Sequence, residues 1–281
     1  MACKGGGMTW LRDFRILVAL VPSTAVILGP FVWLIVSSLK TEAEIGAGHP
    51  FDLPDNLMWQ NYVDAWNVGS FGSLIGNSLI NVAGVVALML LACVPAGYAL
   101  AKIRFPGREW VFFGFIFGLT IPIQAIIIPL YQLLQGLGLI NSLTGVVLAQ
   151  VSNGIPFGIF LMRSFFLGVP NELTEAAKID GASHLQILVK VFLPLSTPAL
   201  QALVIISALS TWNDFFLPLV VLISPEVQTL PLGLVRFAST FTTQYRLVFS
   251  GTVITFLPVI ILFILTQRRF TEGLTQGALK G

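Results

Sequence analysis

Few residues in this chain could carry chemistry. There are two histidines, His49 and His184, and two cysteines, Cys3 and Cys93. Cys3 sits in an N-terminal tail and Cys93 in an apolar run, so they read neither as a disulfide nor as a metal pair. The histidines fall in different loops, which the topology below places on opposite sides of a membrane. No shared His site, no metal site and no cofactor is expected. A membrane-embedded enzyme would need convergent His, Asp or Ser groups at one face, and no such set is visible. Gly-x-x-x-x-Gly-Lys-[Ser/Thr] does not occur, so the chain carries no nucleotide-hydrolysis loop of its own. Two places remain. Trp212, Asn213 and Asp214 combine an apolar platform with groups able to hydrogen-bond the hydroxyls of a polar ligand. A helix-end cap beside an interfacial Trp would leave the same trace. Glu175 and Asp180 would offer exposed acceptors to a partner's Arg or backbone amides.

The elements around Glu175 and Asp180 give that second place a shape. The stretch from Pro170 to Pro194 lies between apolar runs. Asn171 is expected to cap a short helix reaching Lys178 or Ile179. Gly181 suits the left-handed residue that ends it. Ser183 with Gln186 is a capping-box pattern for the next helix. Leu173, Ala176 and Ala177 are spaced to share one face, i, i+3 and i+4, and two alanines there would let another backbone come close. The expectation is helix, sharp turn, helix: a docking knob, or else a plain solvated hairpin.

Composition says what surrounds the knob. The 281 residues are 56% hydrophobic and 10% charged, with mean hydropathy +0.88. Soluble domains carry about 25% charged residues, so water cannot be the only solvent. A net charge of +2 gives no reason to expect nucleic acid. A helix needs about 20 apolar residues to cross the hydrocarbon core. Runs of that kind place six spans: Ile16 to Leu39, Leu74 to Leu100, Val111 to Leu134, Leu143 to Met162, Val191 to Trp212 and Val248 to Thr266. The first run is too long for a signal peptide and lacks a small-residue cleavage site; Met8 competes with Met1 as the start. With the N-terminus inside, twelve of the fifteen Lys and Arg fall on the inner side. The positive-inside rule therefore places both termini in the cytoplasm. The expected organisation is a tail over 1–15, an all-α membrane domain over 16–266 and a second tail over 267–281. Within it lie an inner loop over 163–190 and an outer loop over 213–246.

Prolines recur inside the spans: Pro22, Pro30, Pro95, Pro122, Pro129, Pro156 and Pro258. Each removes a donor and bends its helix, either as ordinary packing or to line a path. No charged residue lies deep in any span, whereas proton- and voltage-coupled proteins place costly ionisable groups there. An ion-coupled secondary transporter is thus the weaker alternative, and the energy source should lie elsewhere.

Glu175-Ala176-Ala177, three residues, Gly181, nine residues, Val191, one residue and Leu193-Pro194 resemble the EAA signature of ABC importer permeases. Ser37-Ser-Leu-Lys40, Asn61-Tyr62, Asn77-Ser78, Ile127-Ile-Pro-Leu-Tyr131, Trp212-Asn-Asp214 and Gln267-Arg-Arg269 are similar to the carbohydrate branch. The tail from Gly273 to Gly281 is similar to that of the maltose importer's smaller permease. The one departure in the signature is Val191 for the commoner Ile. The resemblance implies a type I ABC importer permease fold in a bacterial or archaeal cytoplasmic membrane. It implies that Glu175, Ala176, Ala177, Asp180 and Gly181 seat a coupling helix in a separate ATPase subunit. It implies that Gln276, Gly277 and Lys280 reach into the ATPase dimer, and that the outer loop around Ala238 to Gln244 meets an external sugar-binding protein. The implied assembly adds a second, homologous permease. In the maltose system that sister carries most sugar contacts, which weighs against Trp212, Asn213 and Asp214 as a sugar site.

Overall fold

The structure is a computed structural model. It describes the backbone of residues 6–241 and 243–278, and side chains from 18 to 264 apart from 19, 242, 262 and 263. Every regular element among the described residues is helical. The longer ones are α1 (Gly6–Ser38), α2 (Glu42–Gly46), α3 (Gln60–Val68), α4 (Phe71–Lys102), α5 (Arg108–Gly118), α6 (Ile127–Gly136), α7 (Leu143–Leu167) and α8 (Asn171–Ile179). They continue as α9 (His184–Leu195), α10 (Thr197–Asn213), α11 (Phe216–Val221), α12 (Leu230–Thr240) and α13 (Tyr245–Ala278). The chain divides into two units: Met1–Gly69 with Phe237–Phe256, and Ser70–Arg236 with Leu257–Gly281.

In the first unit, α1 shows apolar side chains almost all round, including Val21, Val26 and Ile27, which are exposed. That is the surface of a helix whose solvent is lipid. Its end is tied down by buried polar groups. Asn61 donates its amide to the carbonyls of Ser38 and Lys40, both at 2.9 Å. The hydroxyls of Ser38 and Tyr62 lie 2.6 Å apart. Glu42 accepts from the backbone amides of Tyr245 and Arg246, capping the start of α13, and Arg246 pairs with Asp64 at 3.0 Å. Thr41 and Glu44 form a capping box at α2. Those hydrogen bonds, from the Thr41 hydroxyl and then backbone amides, pull the Glu44 carboxyl down to about 2.

In the second unit, α4 and α7 form the central pair. They approach so closely at Gly97 that a Cβ there would lie 2.6 Å from the Met162 Cβ and 3.0 Å from the Arg163 amide. Met89, Cys93, Tyr98, Met162, Phe166, Leu188, Phe192 and Leu203 build the core around this pair. Arg163, at the end of α7, joins three helices. It donates to the Leu100 carbonyl, grips Glu109 through both carboxylate oxygens at 2.7 and 2.8 Å, and covers the Phe112 ring at 3.8 Å. Asn77 donates to the carbonyls of Glu226 and Gln228, and Ser78 accepts from the Leu230 amide. Asn61, Asn77 and Ser78, which read as markers in the sequence, are thus backbone clamps, while Tyr62 meets the Ser38 hydroxyl.

Among the described residues, three helices are long and apolar enough to cross a membrane, and up to five when each bent pair counts as one span. Two of the six expected spans are sharply bent pairs. Val111 to Leu134 is broken: Arg108–Gly118 and Ile123–Gly136 meet at 92°. Pro122 has no amide to donate and is extended, with ψ 134°. The fifth run is helical from His184, earlier than the expected Val191, and bends by 80° before Thr197. Pro194 and Pro198 each withhold a donor there, and Leu188–Phe192 is a widened π turn. The sixth run appears as the apolar stretch Tyr245–Ile261.

Candidate functional site

The segment from Pro170 to Pro194 folds as two helices with a four-residue turn. Helix α8 ends in a Schellman arrangement: the Ala182 amide bonds the Ala177 carbonyl at 2.9 Å, and the Gly181 amide bonds that of Lys178 at 3.0 Å. Gly181 takes φ +78°, as the turn requires. Ser183 and Gln186 then form the capping box of α9, at 2.8 and 3.4 Å. Asn171 is not the cap. Pro170 takes that position, and the Asn171 side chain accepts from Lys102, which also holds the Val169 carbonyl at 2.6 Å. At the far side of the turn, His184 meets the Tyr98 hydroxyl at 3.1 Å.

The faces of α8 also differ from expectation. Thr174 is buried and Ala177 is half-buried against the core with Ala182, Val191 and Leu193. Ala177 therefore turns inward, because Thr174 lies one turn before it on the same packed side. Glu172, Leu173, Glu175, Ala176 and Asp180 are exposed. Ile179 is 87% exposed, an apolar tip on an acidic knob. Among the described residues, Glu175 and Asp180 have no ion-pair partner.

A second site lies around α7 and α10, on a chain of polar contacts. Asn81 on α4 donates to Gln150 on α7 at 2.9 Å, and Gln150 donates to the Asp214 carboxylate at 2.7 Å. The other Asp214 oxygen accepts from the amides of Phe216 and Leu217, at 3.0 and 3.4 Å, starting α11. Beside this chain is a cavity of about 500 Å³ lined by Gln124, Asn153, Ser210, Asn213 and Asp214 with apolar neighbours. Trp212 is buried and does not line it, so the expected sugar platform is a core side chain. Asn213 and Asp214 do come together there. Asn81, Gln124, Gln150, Asn153 and Ser210 escaped a reading that searched the spans for charges. Uncharged amides at membrane depth were the available signal.

Gln276 and Gly277 lie in the last turns of α13, and their side chains and all of Lys280 fall outside the described residues. Among the described residues no group of His, Cys, Asp and Glu is arranged to hold a metal ion.

The long apolar helices and the bent spans are those of a multi-pass membrane protein. Residues 93–275 match the family described as the binding-protein-dependent transport system inner membrane component, and the chain belongs to it as a permease of the ABC importer class. It is 38% identical over 256 residues to the arabinooligosaccharides transport system permease protein AraQ of Halalkalibacterium halodurans, covering 90% of this chain and 91% of that one. It is 33% identical over 259 residues to the diacetylchitobiose uptake system permease protein NgcG of Streptomyces coelicolor, covering 92% and 85%. The fold matches a chain in the crystal structure of a bacterial ABC transporter involved in import of the acidic polysaccharide alginate. There the TM-score is 0.83, with 28% identity over 96% of this chain and 100% of that one.

Proposed function

We propose that this chain forms one half of a translocation path for a sugar or oligosaccharide, and that ATP hydrolysis on a separate subunit drives it through the α8–α9 loop. The exposed acidic knob carries this reading. Glu175, Ala176 and Ile179 stand free of the chain's own packing, while Ala177, Ala182 and Thr174 anchor the knob to the core. A docked element needs both properties: a free face to be gripped and a fixed base to pass motion on. The names of the relatives support a saccharide cargo. The assembly is two permease chains, two ATPase subunits and an external binding protein, with six spans and both termini in the cytoplasm. Asp180 and Gly181 hold the knob's end, and Gln276, Gly277 and Lys280 are the proposed tail contacts with the ATPase pair.

The test is ATP hydrolysis by the reconstituted assembly, with and without loaded binding protein. Gly181→Val meets no neighbour, since nothing lies within 4 Å of its Cβ position. It does force a β-branched residue to positive φ, at a cost of about 1–2 kcal/mol. We expect substrate-stimulated hydrolysis to fall to the unstimulated rate while the chain still inserts. Gly181→Asn, which tolerates the left-handed region, should keep most of the stimulation. Full stimulation in Gly181→Val and in an Ile179→Asp, Ala176→Trp double variant would remove the loop from the coupling path.

A further inference from the structure

We infer that the cavity beside Asp214 recognises the hydroxyl groups of an uncharged saccharide, so that this chain touches the cargo itself. This rests on the importer reading above and adds the contact residues and the charge class of the ligand.

Four polar side chains from three elements line one cavity. Gln124 comes from the single turn of 3-10 helix at the 92° bend, Asn153 from α7, and Ser210 and Asn213 from α10. Among the described residues the side chains of Gln124, Asn153 and Ser210 make no hydrogen bond. Asn213 uses only its amide nitrogen, on the Leu209 carbonyl. All four are exposed rather than packed. In hydrocarbon an unsatisfied amide costs several kcal/mol, so this face does not look at lipid. Water or a polar ligand must satisfy it.

The donor and acceptor set selects the ligand. A carboxamide offers both a donor pair and an acceptor, and a serine hydroxyl offers one of each. Neighbouring sugar hydroxyls present the same mixture. The volume of about 500 Å³ falls within the range of about 300–1,000 Å³ typical of ligand sites. Among the described residues no Lys, Arg or His lines the cavity, and the charge on its lining is the Asp214 carboxylate. An anionic sugar would meet repulsion with no cation to offset it. Asp214 is a positioning residue: Gln150 and two backbone amides already occupy its oxygens. It holds the cavity floor in place and leaves the four neutral groups to meet the cargo.

The test uses the assembled importer with its binding protein in proteoliposomes. The probes are labelled maltotriose, arabinotriose, N,N′-diacetylchitobiose and, as the acidic member, digalacturonate. The Gln124→Leu, Asn153→Leu double variant removes two amides at nearly constant volume. Uptake of the preferred neutral probe should fall about tenfold at saturating binding protein, the loss of two hydrogen-bonding groups. The binding-protein concentration for half-maximal uptake should not move, because docking lies elsewhere. Gln124→Ala, Asn153→Ala gives the same readout should the leucine pair fail to assemble. Neutral uptake at the wild-type maximal rate in the double variant would overturn this inference and leave the importer reading standing. Wild-type preference for digalacturonate would overturn it as well. Uptake of none of the four probes by the wild type would overturn the saccharide reading and this inference with it.

Discussion

Asn81, Gln150 and Asp214 show how a membrane helix tolerates polarity. Asn81 is 1% exposed, and its carbonyl oxygen has no partner while its amide holds Gln150. The group survives there because the donor side is satisfied and the chain ends on a carboxylate, which strengthens the bonds leading to it. Removing the middle member should hurt more than removing two. Gln150→Leu leaves the Asn81 amide orphaned and the Asp214 oxygen short of a donor, at a cost of about 1–3 kcal/mol. Adding Asn81→Leu takes away the orphan and should recover part of that loss. Thermal inactivation of the purified assembly in detergent would resolve the order. A double variant less stable than Gln150→Leu alone would show that the Asn81 amide is satisfied in some other way.

The helices differ in how much of their geometry is local. Gly181, Ser183 and Gln186 could be read from sequence because their bonds close within six residues, and local chemistry decides them. Ala177 could not. Its spacing with Leu173 fits an outward stripe, but the core under Thr174 and Ala182 fixes the rotation of α8. Asn171 is a standard capping residue, yet Lys102, 69 positions earlier, claims its side chain. Pro122 and Pro129 announced disturbance in the third span, whereas the bend of the fifth falls at Pro194 and Pro198, which were not among the prolines read as bends; in both, the size of the bend depends on what the two arms pack against. The spacing also hid the α4–α7 approach, since Gly97 and Gly158 are ordinary small residues until the helices meet. Gly97→Leu should separate the pair, because its first side-chain carbon already meets Met162 and the Arg163 backbone. We expect little assembled complex on size-exclusion chromatography. Gly97→Ala should give a partial yield, as its single methyl still needs a shift. Normal yields of Gly97→Leu would mean that the helices slide apart at low cost.

Over the whole chain, the exposed surface states its solvent. Leu91, Trp110, Phe113 and Ile128 are exposed on helices, and hydrocarbon is the medium that makes such a surface stable. The distribution of Lys and Arg predicts a direction of crossing, with the N-terminus inside, and cysteine labelling checks it. In a Cys3→Ala, Cys93→Ala background, Asn56→Cys and Glu226→Cys should react with a membrane-impermeant maleimide from outside. Lys178→Cys should react only after the membrane is opened. Labelling of position 178 in sealed vesicles would invert the topology and put the knob on the wrong side for any ATPase. These positions are exposed in the fold, so a negative result reports sidedness rather than burial.

The turn between α8 and α9 is short of slack. From Asp180 to Ser183 each residue donates its backbone amide to a defined acceptor, and no free hinge separates the two helices. Such a joint has low compliance: a displacement of a few ångströms at Ile179 cannot be absorbed by dihedral rotation in the turn and arrives at α9 nearly undiminished. The Tyr98–His184 bond and the Lys102 clamp brace the two ends of the hairpin. The first soft point along the chain is the widened turn at Leu188–Phe192, followed by the 80° bend before Thr197. Under the coupling proposed above, work done on the knob would concentrate at that elbow, and α10, with Ser210 and Asn213 near its far end, is the arm it would swing.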